Sequence, residues 1–172
     1  GISDPFGGSI ETYRRCRDEI FAAIDILIKD GFFGNISVIP IEQRHIKEIA
    51  RLEEICFSEP WSEEGILEAY RLGTKFFAAE ADKKLIGYIG IKAVIDEGYI
   101  TNIAVFPRFR RRGVAKALLN KVFEFAKEKG LSFVSLEVRP SNTEAVSLYE
   151  KTGFKEERRR KNFYRLPLED AL

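Results

Sequence analysis

The order of apolar and polar segments predicts an α/β domain, with a mixed, mostly antiparallel sheet and helices on both faces, preceded by an N-terminal helical appendage. Three observations carry this. Segments 75–81, 85–94 and 98–106 are rich in apolar and β-branched residues and are separated only by the polar turns Asp82-Lys83-Lys84 and Asp96-Glu97-Gly98, the pattern of an antiparallel meander. Segment 113–129 then places Val114, Leu118, Val122, Phe125 and Ala126 on one helical stripe, with Lys127 and Lys129 in its last turn and Gly130 as C-cap. Beyond it, 133–139 reads as a buried strand and 144–152 as a helix closed by Gly153, so strands and helices alternate as they do when both faces of a sheet are covered.

The remaining elements follow from local signals. Residues 1–8 hold Asp4-Pro5 and Gly7-Gly8 and form a turn-rich opening. Ser9 can cap a helix running to about Asp30, with Ile20, Phe21, Ile24, Leu27 and Ile28 on one stripe, and Gly31-Phe32-Phe33-Gly34-Asn35 ends it. That break divides an appendage, 1–35, from a main domain, 36–172. In the main domain, 36–40 reads as a short strand and 41–57 as a helix with Ile46, Ile49, Ala50, Leu52 and Cys56 facing inward. Residues 58–64 break the pattern, and Ser62 caps a helix to about Leu72. Pro140-Ser141-Asn142-Thr143 is a turn and cap, while 154–159 and a segment toward Leu168 supply the last strands.

Composition removes several function classes. With 28 Lys and Arg against 27 Asp and Glu, the net charge of +1 gives no general attraction for nucleic acid or a membrane surface. The basic runs 108–112 and 158–161 have no interleaved aromatic platform, so direct nucleic-acid contact is not expected. Cys16, Cys56 and the single His45 fit no ligand spacing, and no metal is expected; the thiols read as buried or incidental. No run approaches the roughly 20 apolar residues needed to span a bilayer, and a signal-peptide pattern is absent, which places the protein in the cytoplasm. Met is absent and the first residue is Gly, as expected of a processed, tagged or excised form.

The richest stretch is Arg110-Arg111-Arg112-Gly113-Val114-Ala115, which links an apolar strand to a helix N-terminus. Unpaired N–H groups and the helix dipole make such a turn an anion site; Gly113 lets a ligand approach backbone, Ala115 keeps the next turn slim, and the arginines attract anions. Downstream, Glu137 interrupts an apolar strand, where desolvation would raise its pKa toward that of a useful general base. An edge-strand Glu facing solvent or paired with Arg139 or Lys155 is the plainer alternative. Tyr149 is equally readable as core, and Asn142 as a cap.

Together these residues are more specific. Arg110-x-x-Gly113-x-Ala115, a strand holding Glu137, and Asn142-x-x-Ala145-x-x-Leu148-Tyr149-x-x-x-Gly153-Phe154 resemble the GNAT superfamily of N-acetyltransferases. The segments 57–62, 102–105 and 136–142 resemble its ribosomal-protein-alanine N-acetyltransferases more closely, over about residues 36–172. The resemblance implies the GNAT fold and acetyl-CoA as co-substrate. Its pyrophosphate would sit on Arg110, Arg111, Arg112, Gly113, Val114, Ala115 and Lys116, and its pantetheine arm would pair with the backbone of Ile103, Ala104 and Val105. Asn142 would also contact the cofactor. Glu137 would be the general base and Tyr149 the acid, with Trp61 and Tyr164 at the substrate; where relatives carry two adjacent tyrosines, this chain has Phe163-Tyr164. The implied partner is the N-terminal segment of a ribosomal protein, its alanine amine being the acceptor. A lysine side chain or small amine as acceptor, or a non-catalytic acetyl-CoA-binding module, are the alternatives.

Residues 1–32 resemble the C-terminal end of low-molecular-weight tyrosine or arginine phosphatases, in which a pair matching Asp4-Pro5 supplies the general acid. No Cys-x5-Arg loop is present for Asp4 to serve, so no phosphatase activity is expected. A fragment of a phosphatase–acetyltransferase fusion is the expected origin, and relatives run on into a final strand after a triplet like Glu169-Asp170-Ala171. The apolar stripe of the appendage is expected to pack on the main domain or on a second copy, the latter giving a homodimer.

Overall fold

The computed structural model describes residues 9–29 and 35–172, with the side chains of 21–29 left undescribed. The stripe expected at Phe21, Ile24, Leu27 and Ile28, the turn at 31–34 and the Asp4-Pro5 pair therefore lie outside the described residues. The chain divides between Asn35 and Ile36 into two compact units. In the first, helix α1 spans Ile10–Lys29, and the Ser9 hydroxyl accepts the Thr12 N–H at 3.3 Å, the N-cap bond expected from a serine at that position.

The second unit is built on a five-stranded sheet in the order β1 (Ser37–Pro40), β2 (Lys75–Ala81), β3 (Lys84–Val94), β4 (Glu97–Val105) and β5 (Phe133–Ser135). Strands β2 to β4 pair antiparallel as the meander predicts, β1 pairs antiparallel with β2, and β5 joins β4 in parallel. Helix α4 (Val114–Lys129) packs on one face, together with α5 (Thr143–Lys151). Helices α2 (Ile46–Cys56) and α3 (Glu63–Arg71) cover the other. The pleat of β2 shows the division: Phe77, Ala79 and Ala81 point toward α4, whereas Phe76 and Ala78 point toward α2. A separate hairpin, β6 (Arg160–Arg165) and β7 (Leu168–Ala171), completes the unit. Among the described residues no helix is long and apolar enough to cross a membrane, and no cluster of three or more His, Cys, Asp or Glu could hold a metal.

Three elements differ from the expected bounds. The helix expected from residue 41 begins as a 3-10 turn at Gln43–His45 and becomes α-helical at Ile46, because the Glu42 N–H donates to His45 Nδ1 at 2.8 Å while the Glu42 side chain caps the His45 N–H. Residues 154–159 form no strand; the last strands lie in the hairpin. The strand expected over 133–139 ends at Ser135, and the cause lies in β4. Its partners on β3 run Gly90↔Asn102 and then Ile91↔Ile100, leaving Thr101 as an extra residue. This bulge inverts the pleat: Ile100 packs with the α4-side core and Ala104 with the α2-side core, although an even spacing in a regular strand would put both on one face. Beyond it, β4 and the chain at 136–139 run apart, and Val138 instead exchanges both backbone hydrogen bonds with Leu172, at 3.2 and 2.9 Å.

Candidate active site

The gap between β4 and 136–139 has two different walls. On β4, the Phe106 N–H donates to Ile86 O, so by the alternation of an antiparallel ladder Ala104 also directs its backbone groups to β3, while Ile103 and Val105 direct theirs into the gap. Among the three β4 residues expected to pair with a ligand, Ala104 is thus committed to the sheet. At the end of β4, Arg111 (φ 61°) and Gly113 (φ 79°) adopt left-handed conformations two positions apart, an alternation that turns successive N–H groups into an anion-binding concavity. Gly113 is the N-cap of α4, and no side chain caps the first turn, so the N–H groups of Val114, Ala115 and Lys116 are open to a ligand. A Cβ on Gly113 would meet nothing within 4 Å; the glycine is needed for its backbone angle. The Arg110 side chain is engaged within the protein. Its Nε donates to Val105 O at 3.2 Å and its Nη2 to Cys56 Sγ at 3.3 Å, tying the turn to α2. Arg112 stacks over Phe109 at 5.6 Å.

The opposite wall carries the acid and the hydroxyls. Glu137 and Tyr149 line one cavity of about 1100 Å³, together with Leu136, Val138, Phe154 and Arg160. The Glu137 side chain is 14% exposed, its Oε1 accepts from Arg160 Nη1 at 2.6 Å, and its Oε2 is buried with no hydrogen-bond partner. The counter-ion is therefore Arg160, not Arg139 or Lys155. Tyr149 is buried in the α4-side core against Phe154, and burial, reinforced by nearby Tyr164, pushes its hydroxyl pKa well up. It stays protonated throughout the neutral range.

Other expected site residues fall as follows. Tyr164 is half-buried, with the Arg139 guanidinium 4.1 Å above its ring; burial raises its hydroxyl pKa, and Arg139 partly offsets this. Arg139 also binds Leu166 O, Pro167 O and Glu169, and the Ser58 hydroxyl donates to the same Leu166 O at 2.5 Å, so the hairpin is strapped to the loop between α2 and α3. Trp61 is held inside that loop: its N–H donates to Glu53 and its ring packs edge-on against Phe76 at 6.3 Å. Asn142 caps α5, its side chain accepting the Ala145 N–H at 3.2 Å.

Three residues of the site were not singled out from the sequence. Tyr99 on β4 interacts through its hydroxyl with Glu137; burial first, and that carboxylate second, raise its pKa. Its only signal was a hydroxyl in a buried strand. Arg160 sat in a basic run that reads as a solvated surface. Glu53 is wholly buried and accepts from the Tyr88 hydroxyl, Asn102 Nδ2 at 3.1 Å and Trp61 N–H at 2.9 Å; desolvation raises its pKa against those three donors. The signal there was available: Glu53 continues the i, i+3, i+4, i+7 stripe of Ile46, Ile49 and Ala50, where a carboxylate is out of place unless bonded.

Known proteins resemble this chain in sequence and fold. The family model described as Acetyltransferase (GNAT) family matches residues 46–154. The [ribosomal protein bS18]-alanine N-acetyltransferase of Haemophilus influenzae is 36% identical over 129 residues, which cover 74% of this chain and 86% of that protein. Its counterpart from Escherichia coli K12 is 31% identical over 130 residues, covering 74% and 86%. The crystal structure of the ribosomal-protein-S18-alanine N-acetyltransferase from Escherichia coli superposes with a TM-score of 0.73 at 29% identity, covering 80% of this chain and 90% of that one. A mixed sheet split between its fourth and fifth strands, an uncapped helix N-terminus at the split and this sequence kinship lead to one conclusion: the chain belongs to the GNAT family of acetyltransferases.

Proposed function

We propose that this acetyltransferase moves the acetyl group of acetyl-CoA to the N-terminal amine of a small-subunit ribosomal protein, with alanine as the accepting residue, and that it does so in the cytoplasm. Acetyl-CoA is the family's donor. The observation that carries the reading is the convergence of Glu137 and Tyr149 on one cavity, in a domain whose sheet opens beyond the short β4–β5 pairing and whose α4 starts uncapped. The names of the relatives supply the acceptor class.

The local chemistry fits the donor. The N–H groups from Gly113 to Lys116 suit a pyrophosphate, and the outward backbone of Ile103 and Val105 suits an extended amide-bearing arm added like a strand. The donor supplies an acyl carbon activated by a thiolate leaving group. When the amine nitrogen bonds to that carbon and the carbon–sulfur bond breaks, the nitrogen must lose a proton and the sulfur gains one. Glu137 Oε2, buried and unpartnered, accepts the first; the Tyr149 hydroxyl donates the second. An α-amine has a pKa of about 7.7–8.0, so a carboxylate is base enough.

Incubation with acetyl-CoA and peptides bearing a ribosomal-protein N-terminus should add one acetyl mass, mapped to the terminal amine. Glu137→Gln should lower kcat by about 100-fold or more while leaving acetyl-CoA binding intact. Acetylation mapped to a lysine side chain, or an unchanged rate in Glu137→Gln, refutes the corresponding part.

A further inference from the structure

The base of this site is held by a permanent cation. Arg160 Nη1 lies 2.6 Å from Glu137 Oε1, and the same guanidinium stacks over Phe163 at 4.6 Å, so an apolar ring on one side and a carboxylate on the other fix its position. A second neutral pair, Arg139 with Glu169 at 3.2 Å, stands beside it. The cavity therefore presents Glu137 and Arg160 as a matched pair, with Glu137 Oε2 left free. Such a site offers little net attraction to an incoming ammonium ion, yet retains a lone pair for a proton released during attack.

We propose that Arg160 is the acceptor-selecting residue: its charge cancels the pull of Glu137 on ammonium ions, so the site takes an amine that is substantially neutral at working pH and discriminates against lysine side chains. The inference rests on the reading above that this protein acetylates amines. At pH 7.5 about a quarter to two-fifths of α-amines are neutral, against about one lysine in a thousand. A site that attracted the ammonium form would lose part of that discrimination; one that does not attract it keeps more of the difference.

The other groups facing Glu137 do not upset the balance. Tyr99 from β4, Tyr149 from α5 and Tyr164 from β6 all have raised hydroxyl pKa values and stay neutral across this range. Glu97, Glu150, Lys155, Glu156, Glu157 and Arg158, which line the rest of the cavity, set four carboxylates against two cations, but all six are exposed and screened by water.

The experiment compares kcat/KM at pH 7.5 for a peptide with a free N-terminus and for the same peptide with that terminus blocked and one lysine added. Arg160→Gln should lower the ratio by about tenfold, the size expected for removing one charge a few ångströms from another at a half-exposed site. Arg160→Lys, which keeps the charge, should hold the ratio near wild type. An unchanged ratio in Arg160→Gln, or equal shifts in both variants, overturns the proposal. Wild-type enzyme gives an independent arm: across peptides whose terminal amines differ in pKa, kcat/KM should follow the neutral fraction, and failure to do so also overturns it. Acetylation that ignores the charge at residue 160 leaves the proposed activity standing, whereas no acetylation of any amine removes both.

Discussion

Gly90→Ala tests how the β4 bulge builds the site. Gly90 is buried on β3 opposite the extra residue Thr101, and a Cβ there would lie 2.5 Å from Thr101 Oγ1, 2.7 Å from Phe76 Cε1 and 2.9 Å from Phe76 Cδ1. Contacts below 3.0 Å cannot be absorbed without movement, and Phe76 is pinned between Trp61 and Tyr88, with rings 6.3 Å from each. Overpacking of this kind costs about 1–3 kcal/mol. For a chain of this length that is a fall in Tm of about 2–4 °C per kcal/mol, measurable by thermal or urea unfolding. Because the atom displaced belongs to the bulge, the open edge of β4 should shift too, weakening acetyl-CoA binding in a titration. Thr101→Ala should by itself be neutral or slightly stabilising, since its hydroxyl is buried without a partner. The double variant should recover part of the Gly90→Ala loss, the contact with Phe76 remaining. A Gly90→Ala protein with wild-type stability and donor affinity, or strict additivity in the double variant, would refute the reasoning.

Three further outcomes are expected. Gly113→Ala should cost about 1–2 kcal/mol through its left-handed backbone alone, because its Cβ meets no neighbour, and should raise the Kd for acetyl-CoA in calorimetry. Glu53→Leu strands the Tyr88 hydroxyl, the Asn102 amide and the Trp61 N–H inside the core and should cost about 3–5 kcal/mol in urea unfolding, whereas Glu53→Gln, which keeps an acceptor, should lose less. Glu80, hydrogen-bonded by Arg44 at 2.5 Å and His45 at 3.0 Å, is held below the usual carboxylate range, chiefly by Arg44. Its contribution is present above the unfolded value of about 4.5 and is lost as pH falls through the lower folded value. Glu53, whose pKa is raised, has the opposite sign, so the comparison must be internal: Glu80→Gln should lose less stability than wild type between pH 7 and about pH 3, read from urea midpoints.

Much of the fold follows from local chemistry. The β2–β4 meander, the stripe and Gly130 cap of α4, and the Ser62 and Asn142 caps each depend on residues within a few positions of one another, so periodicity and turn composition suffice to place them. The Gly113 turn and the alternation of strands with helices were legible for the same reason. Glu137 stood out as an acid in an apolar run, and Tyr149 only through its spacing from it. The cavity that joins them depends on where the sheet opens.

The chain by itself therefore determined most of the elements, the glycine turn before α4 and the residue types able to move protons. Only the tertiary structure decided the bulge at Thr101, the early end of β5, the commitment of Ala104 to β3 and Arg110 to Val105 O, and the pairing of Arg160 with Glu137, 23 positions away. The physical reason is range: a cap or a stripe is settled by neighbours along the backbone, whereas register, the opening of a sheet and the partner of a buried charge depend on which distant segment arrives to satisfy them.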